Sequence, residues 1–253
     1  MRIFVLALLA LVLTACGGGG SSDSGSSSSS SFTVTAIDGY LSSAEVYVDR
    51  NGDGVAGSDE LIGSTDINGQ IVLDNVNKAY PIIIRAVAGI TRDSDYSDAI
   101  AENYEMVSSA GKTVVTPFTT LSYLYDIPMD EVLKKLDPDG SLGLDVETIS
   151  GDYASINTNK GVVSQALARS MAKALKDEIS NNKDSGSQTT NTLDSYVNSI
   201  VTTLATQVAA AANIADDLNE TVITIVTNSE GAVIPTTTFT TALDAASSGS
   251  GSS

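Results

Sequence analysis

The chain has no histidine, no tryptophan and a single cysteine, and its 13 Lys and Arg are outnumbered by 31 Asp and Glu, giving a formal net charge of −18 at pH 7. Each shortage closes a class of chemistry. Without an imidazole there is no Ser-His-Asp or Cys-His pair, no histidine-ligated zinc, and no general base whose ordinary pKa lies near 7. The acidic balance disfavours nucleic acid and anionic lipid surfaces, because phosphate contacts need clustered Lys and Arg. It favours cationic partners, divalent metals above all.

At the N-terminus, Arg2 precedes an unbroken apolar run. The run falls short of the roughly 20 residues of a permanent membrane span and has the shape of a signal-peptide core, so residues 1–15 are set apart from the fold. Leu13-Thr14-Ala15-Cys16 resembles the lipobox of bacterial lipoproteins. That resemblance implies that Cys16 is lipid-modified on sulfur and becomes the acylated N-terminus, so it is an anchor with no redox or metal role. Residues 17–31 are Gly and Ser apart from Asp23, a flexible coil with a root-mean-square span of about 20–25 Å. Residues 16–31 therefore read as a lipidated cysteine and its tether. Gly17 stands where lipoproteins kept at the inner membrane tend to have Asp, which implies a cell-envelope location at the outer membrane of a Gram-negative host. Two or three acyl chains hold stably where one is marginal.

From Phe32 the pattern alternates. Residues 32–37 and 44–49 are short β-branched runs with period two. Residues 61–65 and 70–73 flank Asp66-Ile67-Asn68-Gly69, a turn tolerant of positive φ, and are expected to form a hairpin. Residues 80–88 make the most apolar strand, with Pro81 at its entrance. Residues 104–108 and 112–115, around Ser109-Ala110-Gly111, are expected to close the module as a second hairpin. About seven short strands with turn signals between them point to a small antiparallel β-sandwich over residues 32–116.

Between two of these strands lies Asp49-Arg50-Asn51-Gly52-Asp53-Gly54-Val55-Ala56-Gly57-Ser58-Asp59-Glu60. Asp, Asn and Asp occupy positions 1, 3 and 5, Gly position 6 and Glu position 12, the spacing of an EF-hand calcium loop. Side-chain oxygens at alternate positions of a tight turn converge on one point. Gly54 permits the sharp turn, the Val55 carbonyl adds a ligand, and Glu60 closes the shell with both oxygens. Asp49, Asn51, Asp53, Val55 and Glu60 are thus the expected ligands of Ca²⁺, a hard cation wanting six to eight oxygens. The alternative is an Asp/Asn/Gly-rich turn without metal. A second acidic run, Asp93-Ser94-Asp95-Tyr96-Ser97-Asp98, reads as a solvated loop, and Asp137, Asp139 and Asp145 as parts of a plain turn around Pro138.

The loop enters from a strand, and no helix obviously follows. This arrangement, with Thr65-Asp66-Ile67-Asn68-Gly69-Gln70 after it, resembles the calcium-binding B-type repeats of Gram-positive surface proteins and, more loosely, the prealbumin-like CnaB sandwich domains. The resemblance covers residues 36–73 and implies a stalk or spacer stiffened by calcium. CnaB domains often carry a Lys-Asn isopeptide bond; no Lys precedes Lys78 here, so none is expected.

After Val115 the spacing becomes helical. Thr116-Pro117 opens one helix over residues 116–124, Pro128 another with Met129, Val132, Leu133 and Leu136 as its stripe. Residues 160–182 carry Val163, Leu167, Met171 and Leu175 at i+4 steps, and residues 192–218 carry Leu193, Val197, Ile200, Leu204 and Val208. A polar connection at 181–190 would pair these two helices antiparallel. Thr202, Thr203, Thr206 and Gln207 interrupt the second run too often for a membrane span. Residues 221–234 fit a strand or hairpin, or a continuing helical stripe, the former being favoured. The fold class is therefore α+β: the sandwich, then a mainly α-helical domain over residues 117–244, with residues 245–253 a disordered tail. The Ile-Asp-Gly-Tyr motif at Ile37 to Tyr40 and the Thr-Pro-x-Thr-Thr-Leu motif at Thr116 to Leu121, joined to the lipobox and tether, are similar to surface lipoproteins of Gram-negative marine-type bacteria. That family brings no activity to carry over.

Three functions fit. The first is a non-enzymatic, membrane-anchored structural or adhesive lipoprotein with a surface protein as partner. The second is a glycan-binding module, for which Tyr40, Tyr47, Tyr80, Tyr96 and Tyr104 would supply the aromatic platform. The third is a carboxylate-pair glycosidase, which needs no histidine, with Asp93 and Asp95 or Asp216 and Asp217 as the acidic pairs.

Overall fold

Alternation becomes strand wherever one face can be buried. The computed structural model describes residues 30–185, 190–219, 221–223, 226–227, 233–234 and 239–241. The signal-peptide segment 1–15, Cys16, the tether through residue 29 and the tail 245–253 lie outside the described residues. Nine strands precede the helices: β1 (Ser31–Ala36), β2 (Leu41–Ser42), β3 (Glu45–Val48), β4 (Leu61–Ser64), β5 (Gln70–Asp74), β6 (Ile82–Ala86), β7 (Arg92–Asp93), β8 (Tyr104–Ser108) and β9 (Val114–Val115). The order β4-β3-β6-β8 forms an antiparallel sheet, and β5-β1-β9 a second sheet in which β1 runs antiparallel to β5 and parallel to β9. Phe32, Val34 and Ala36 of β1 meet Val46 and Val48 of β3 and Ile82 and Ile84 of β6 in one buried cluster. The inward positions of both sheets thus share a core.

Neither expected hairpin forms. The Asp66–Gly69 turn is present, with the Asp66 carboxylate accepting from the N–H groups of Asn68 and Gln70, but it carries the chain from one sheet to the other. β4 pairs with β3 and β5 with β1. The buried Thr65 hydroxyl directs the crossing: it accepts from Ala44 N at 3.0 Å and donates to Leu41 O. Likewise β8 pairs with β6, while β9 crosses to run parallel to β1. Strands form at both places, but strand adjacency in sequence does not decide which sheet a strand joins. β1 begins at Ser31, one residue before the expected boundary.

The helices are α1 (Pro117–Tyr125), α2 (Met129–Leu136), α3 (Val146–Ser150), α4 (Asn159–Ser185), α5 (Thr190–Ala210) and α6 (Ile214–Leu218). The stripes of α2, α4 and α5 are buried as their spacing predicts, through Val132 and Leu136, through Val163, Leu167, Met171 and Leu175, and through Leu193, Val197, Ile200 and Leu204. Residues 192–218 make two helices, α5 ending at Ala210 and α6 restarting behind Asn213, whose side chain accepts from Ala215 N. The described residues between 221 and 234 take the extended alternative: β10 (Thr221–Ile223) pairs with β13 (Phe239–Thr241), and β11 (Val226–Thr227) pairs antiparallel with β12 (Val233–Ile234). No helix among the described residues is long and apolar enough to cross a membrane.

The two sequence motifs form the seam between sheets and helices. Thr116 caps α1, its hydroxyl accepting from the N–H groups of Phe118 and Thr119, while the Thr119 hydroxyl accepts from Thr116 N. One turn on, the Thr120 hydroxyl accepts from Val107 N on β8 at 2.9 Å and donates to Thr116 O at 2.8 Å. Phe118 packs edge-on against Tyr153 at 5.3 Å, and the Tyr153 hydroxyl donates to Ile37 O at 2.9 Å. Ile37 itself is buried in the helical core, and Tyr40 donates to Asp152 at 2.8 Å. Thr120→Val keeps the shape of the side chain but leaves the Val107 N–H buried without a partner. Urea denaturation should show a loss of about 1–3 kcal/mol, against a few tenths for Thr113→Val on the surface. Equal effects would remove Thr120 from the seam.

Candidate metal centre

The twelve-residue loop joins β3 to β4, so both ends are fixed by the sheet: Val48 N donates to Glu60 O and Asp49 N to Pro81 O. Within it Gly54 has φ +71°, a conformation that side chains resist and that position 6 of such a loop requires. Asp49, Asp53 and Glu60 each place a carboxylate oxygen within 4.8 Å of the other two, a group able to hold a metal ion. The Asp49 carboxylate accepts from Gly52 N and Gly54 N at 2.7 and 3.1 Å. Glu60 accepts from Arg50 N at 2.8 Å. Asn51 is bonded to Asp53, donating from its amide to one carboxylate oxygen and accepting from Asp53 N, both at 2.9 Å. Val55 donates its N–H to Asp53 at 2.8 Å. The sequence-expected residues are thus brought together, the three acids as a converging set and Asn51 and Val55 on the same turn.

Asp49 is 0% exposed and Glu60 3%. Among the described residues no Lys or Arg forms an ion pair with Asp49, Asp53 or Glu60. The nearest candidates are engaged elsewhere: Arg50 donates to Asn77, and Arg85 pairs with Glu105 and donates to the loop carbonyl of Ala56 at 3.2 Å. Backbone N–H groups satisfy part of the acceptor capacity of these buried acids and supply no net positive charge. A buried carboxylate costs several kcal/mol unless it is paired, and a bound divalent cation is the counter-charge that this oxygen set suits.

The second acidic run is solvated only in part: Asp98 is exposed and Asp95 half-buried. Asp93 is 2% exposed, held on the β2–β7 pair, with Gly39 N donating to one of its oxygens at 3.3 Å and Asp95 N to the other at 2.9 Å. Position 39 has no room for a side chain, since a Cβ there would lie 2.1 Å from Asp93 Oδ1. Asp38 sits beside them, accepting from the Tyr104 hydroxyl at 3.1 Å, its other oxygen buried without a hydrogen bond. Asp95 meets Arg169 of α4 at 2.7 Å, and Arg169 also donates to Leu218 O and Asn219 O at the end of α6. Three carboxylates share one guanidinium. Burial and the neighbouring Asp95 push Asp93 up to about 7; burial, with Asp93 and Asp95, lifts Asp38 well above the usual carboxylate range. Sequence reasoning missed Asp38 and Arg169. The available signals were an Asp directly after the buried Ile37 and an Arg within the alanine-rich face of α4.

The other acids have local tasks. Asp137 accepts from Leu142 N and Leu144 N, Asp139 from Ser141 N, and Asp145 caps α3 at Thr148 N. Asp216 and Asp217 both accept from Asn213. Of the five tyrosines offered as a glycan platform, Tyr47 is buried and Tyr40, Tyr80, Tyr96 and Tyr104 are half-buried. No known family, curated protein or solved structure matches the chain.

The upward shifts of Asp38 and Asp93 fix the sign of a pH dependence. The folded chain keeps protons that the unfolded chain releases above about pH 4, so the contribution of Asp93 to stability falls as pH rises from there through about 7, and Asp38, raised in the same direction, adds to the fall. Asp38→Asn preserves the shape and the acceptor for Tyr104 and removes one titrating carboxyl from the cluster. Its melting temperature at pH 8 should exceed the wild type's by a few degrees, each kcal/mol being worth roughly 2–4 °C in a chain of this size. The wild-type decline between pH 5 and 8 should shrink with it. A lower value at pH 8, or an unaltered slope, contradicts the assignment.

Proposed function

We propose that the chain is a non-enzymatic surface lipoprotein of the cell envelope, anchored through Cys16, whose β portion is a sandwich stiffened by one calcium ion and whose task is structural or adhesive. The observation that carries the ion is the pair of buried, cation-free carboxylates Asp49 and Glu60 converging with Asp53. Asp49, Asn51, Asp53, the Val55 carbonyl and Glu60 are the ligands in this reading. All are oxygen donors, which favours calcium over softer metals, and an extracellular module of this kind binds on the order of 10⁻⁴–10⁻³ M. What the ion supplies is rigidity: it closes a loop whose two ends are adjacent strands.

An adhesive role draws support from the edges of the two sheets. β4 and β5 are outer strands, and Leu61 and Ile62 on β4, Val72 on β5 and Ile67 on the turn between them are all exposed. Large apolar side chains exposed on open edges suit a protein partner better than a purely solvated face. A spacer with such a surface needs no active site.

Calcium at 10 mM should stabilise the chain by about 1.5–3 kcal/mol, as expected for 10 to 100 times a dissociation constant in that range, read as a rise in melting temperature. Asp53→Ala and Glu60→Gln should each remove the rise. No rise in the wild type would remove calcium from the account.

A further inference from the structure

The small apolar cluster under the loop is built from both halves of the chain. Tyr47, Ala56, Ile83 and Val107 are buried in it, and Tyr123 of α1 packs on them. The Tyr123 hydroxyl lies over the loop: a Cβ on Gly54 would be 3.4 Å from it. Burial, then the fields of Asp49 and Asp53, raise its pKa, which places the phenol within reach of both acids' charge. On the same helix face, three and four residues earlier, Thr120 and Thr119 hold the backbone of Val107. α1 therefore touches β8 with one turn and the loop with the next.

We propose that Tyr123 couples ion occupancy in the loop to the docking of α1, so that calcium tightens the sheet–helix seam and not the loop alone. The inference rests on the calcium reading of the same loop. A loop free to move at Gly54–Ala56 shifts the surface on which the Tyr123 ring packs; a loop closed on an ion presents that surface in one arrangement. Linkage makes the effect reciprocal: if the ion favours docked α1, loosening α1 weakens the ion.

Hydrogen exchange of the full chain, with and without calcium at ten times its dissociation constant, tests this. Opening events that release the ion should slow about tenfold, both in peptides covering residues 49–60 and in those covering 117–125. In Tyr123→Ala the loop should still be protected by calcium, α1 should not, and the dissociation constant should rise about fivefold. Tyr123→Phe, which keeps the ring, should show a smaller rise and retain part of the protection. Protection confined to the loop in the wild type, or calcium protection of α1 that survives Tyr123→Ala, overturns the coupling and leaves the ion site standing. Absence of protection in both segments overturns the calcium reading and the coupling with it.

Discussion

A carboxylate taken out of water costs several kcal/mol unless hydrogen bonds, a proton or a cation compensate it, and among the described residues Asp38, Asp49, Glu60, Asp93 and Asp137 are all buried. The chain meets this cost in different ways. Asp137 is satisfied by two backbone N–H groups of the turn it organises. Asp38 and Asp93, with Asp95, lean on Arg169, and burial leaves Asp93 poised near neutral pH. Asp49 and Glu60 have backbone donors and no side-chain cation, and there the oxygens converge as a metal needs. Backbone donors suffice for Asp137, a guanidinium serves the Asp95 cluster, and an ion is the counter-charge proposed for the loop.

Both acidic centres lie where chain segments distant in sequence must be held together. Arg169 reaches from α4 to Asp95 on one side and to the carbonyls at the end of α6 on the other. Gly39 admits Asp93 against the backbone beside Ile37, and Ile37 is both a core residue of the helices and the acceptor for Tyr153. At the other side, Thr116 to Thr120 fasten α1 to β8, and Tyr123 carries that helix across to the loop. Residue 116, the expected boundary between the β unit and the helical unit, is the N-cap of α1.

The sequence made the elements legible and their partners less so. Alternation marked the strands, and i+4 stripes marked α2, α4 and α5, because both periodicities report a buried face directly. Which sheet receives β5 and β9 depends on Thr65 and on pairing to β1, contacts that no local pattern encodes. The loop was readable because its converging acids lie within twelve residues of one another. The Asp38, Asp93, Asp95 and Arg169 cluster spans 131 positions of the chain, and its members converge only through the β2–β7 pairing and the packing of α4. The short helix α3 follows a turn organised by Asp137, whose acceptor role hides behind an unremarkable Asp-Pro-Asp-Gly.

The account turns on an ion supplying the counter-charge for Asp49, Asp53 and Glu60, and equilibrium dialysis against radioactive calcium measures that without reference to stability. It predicts one ion bound per chain at saturating millimolar calcium, reduced to none in Glu60→Gln and unchanged in Asp139→Asn. No bound calcium in the wild type, or binding that Glu60→Gln leaves intact, contradicts it.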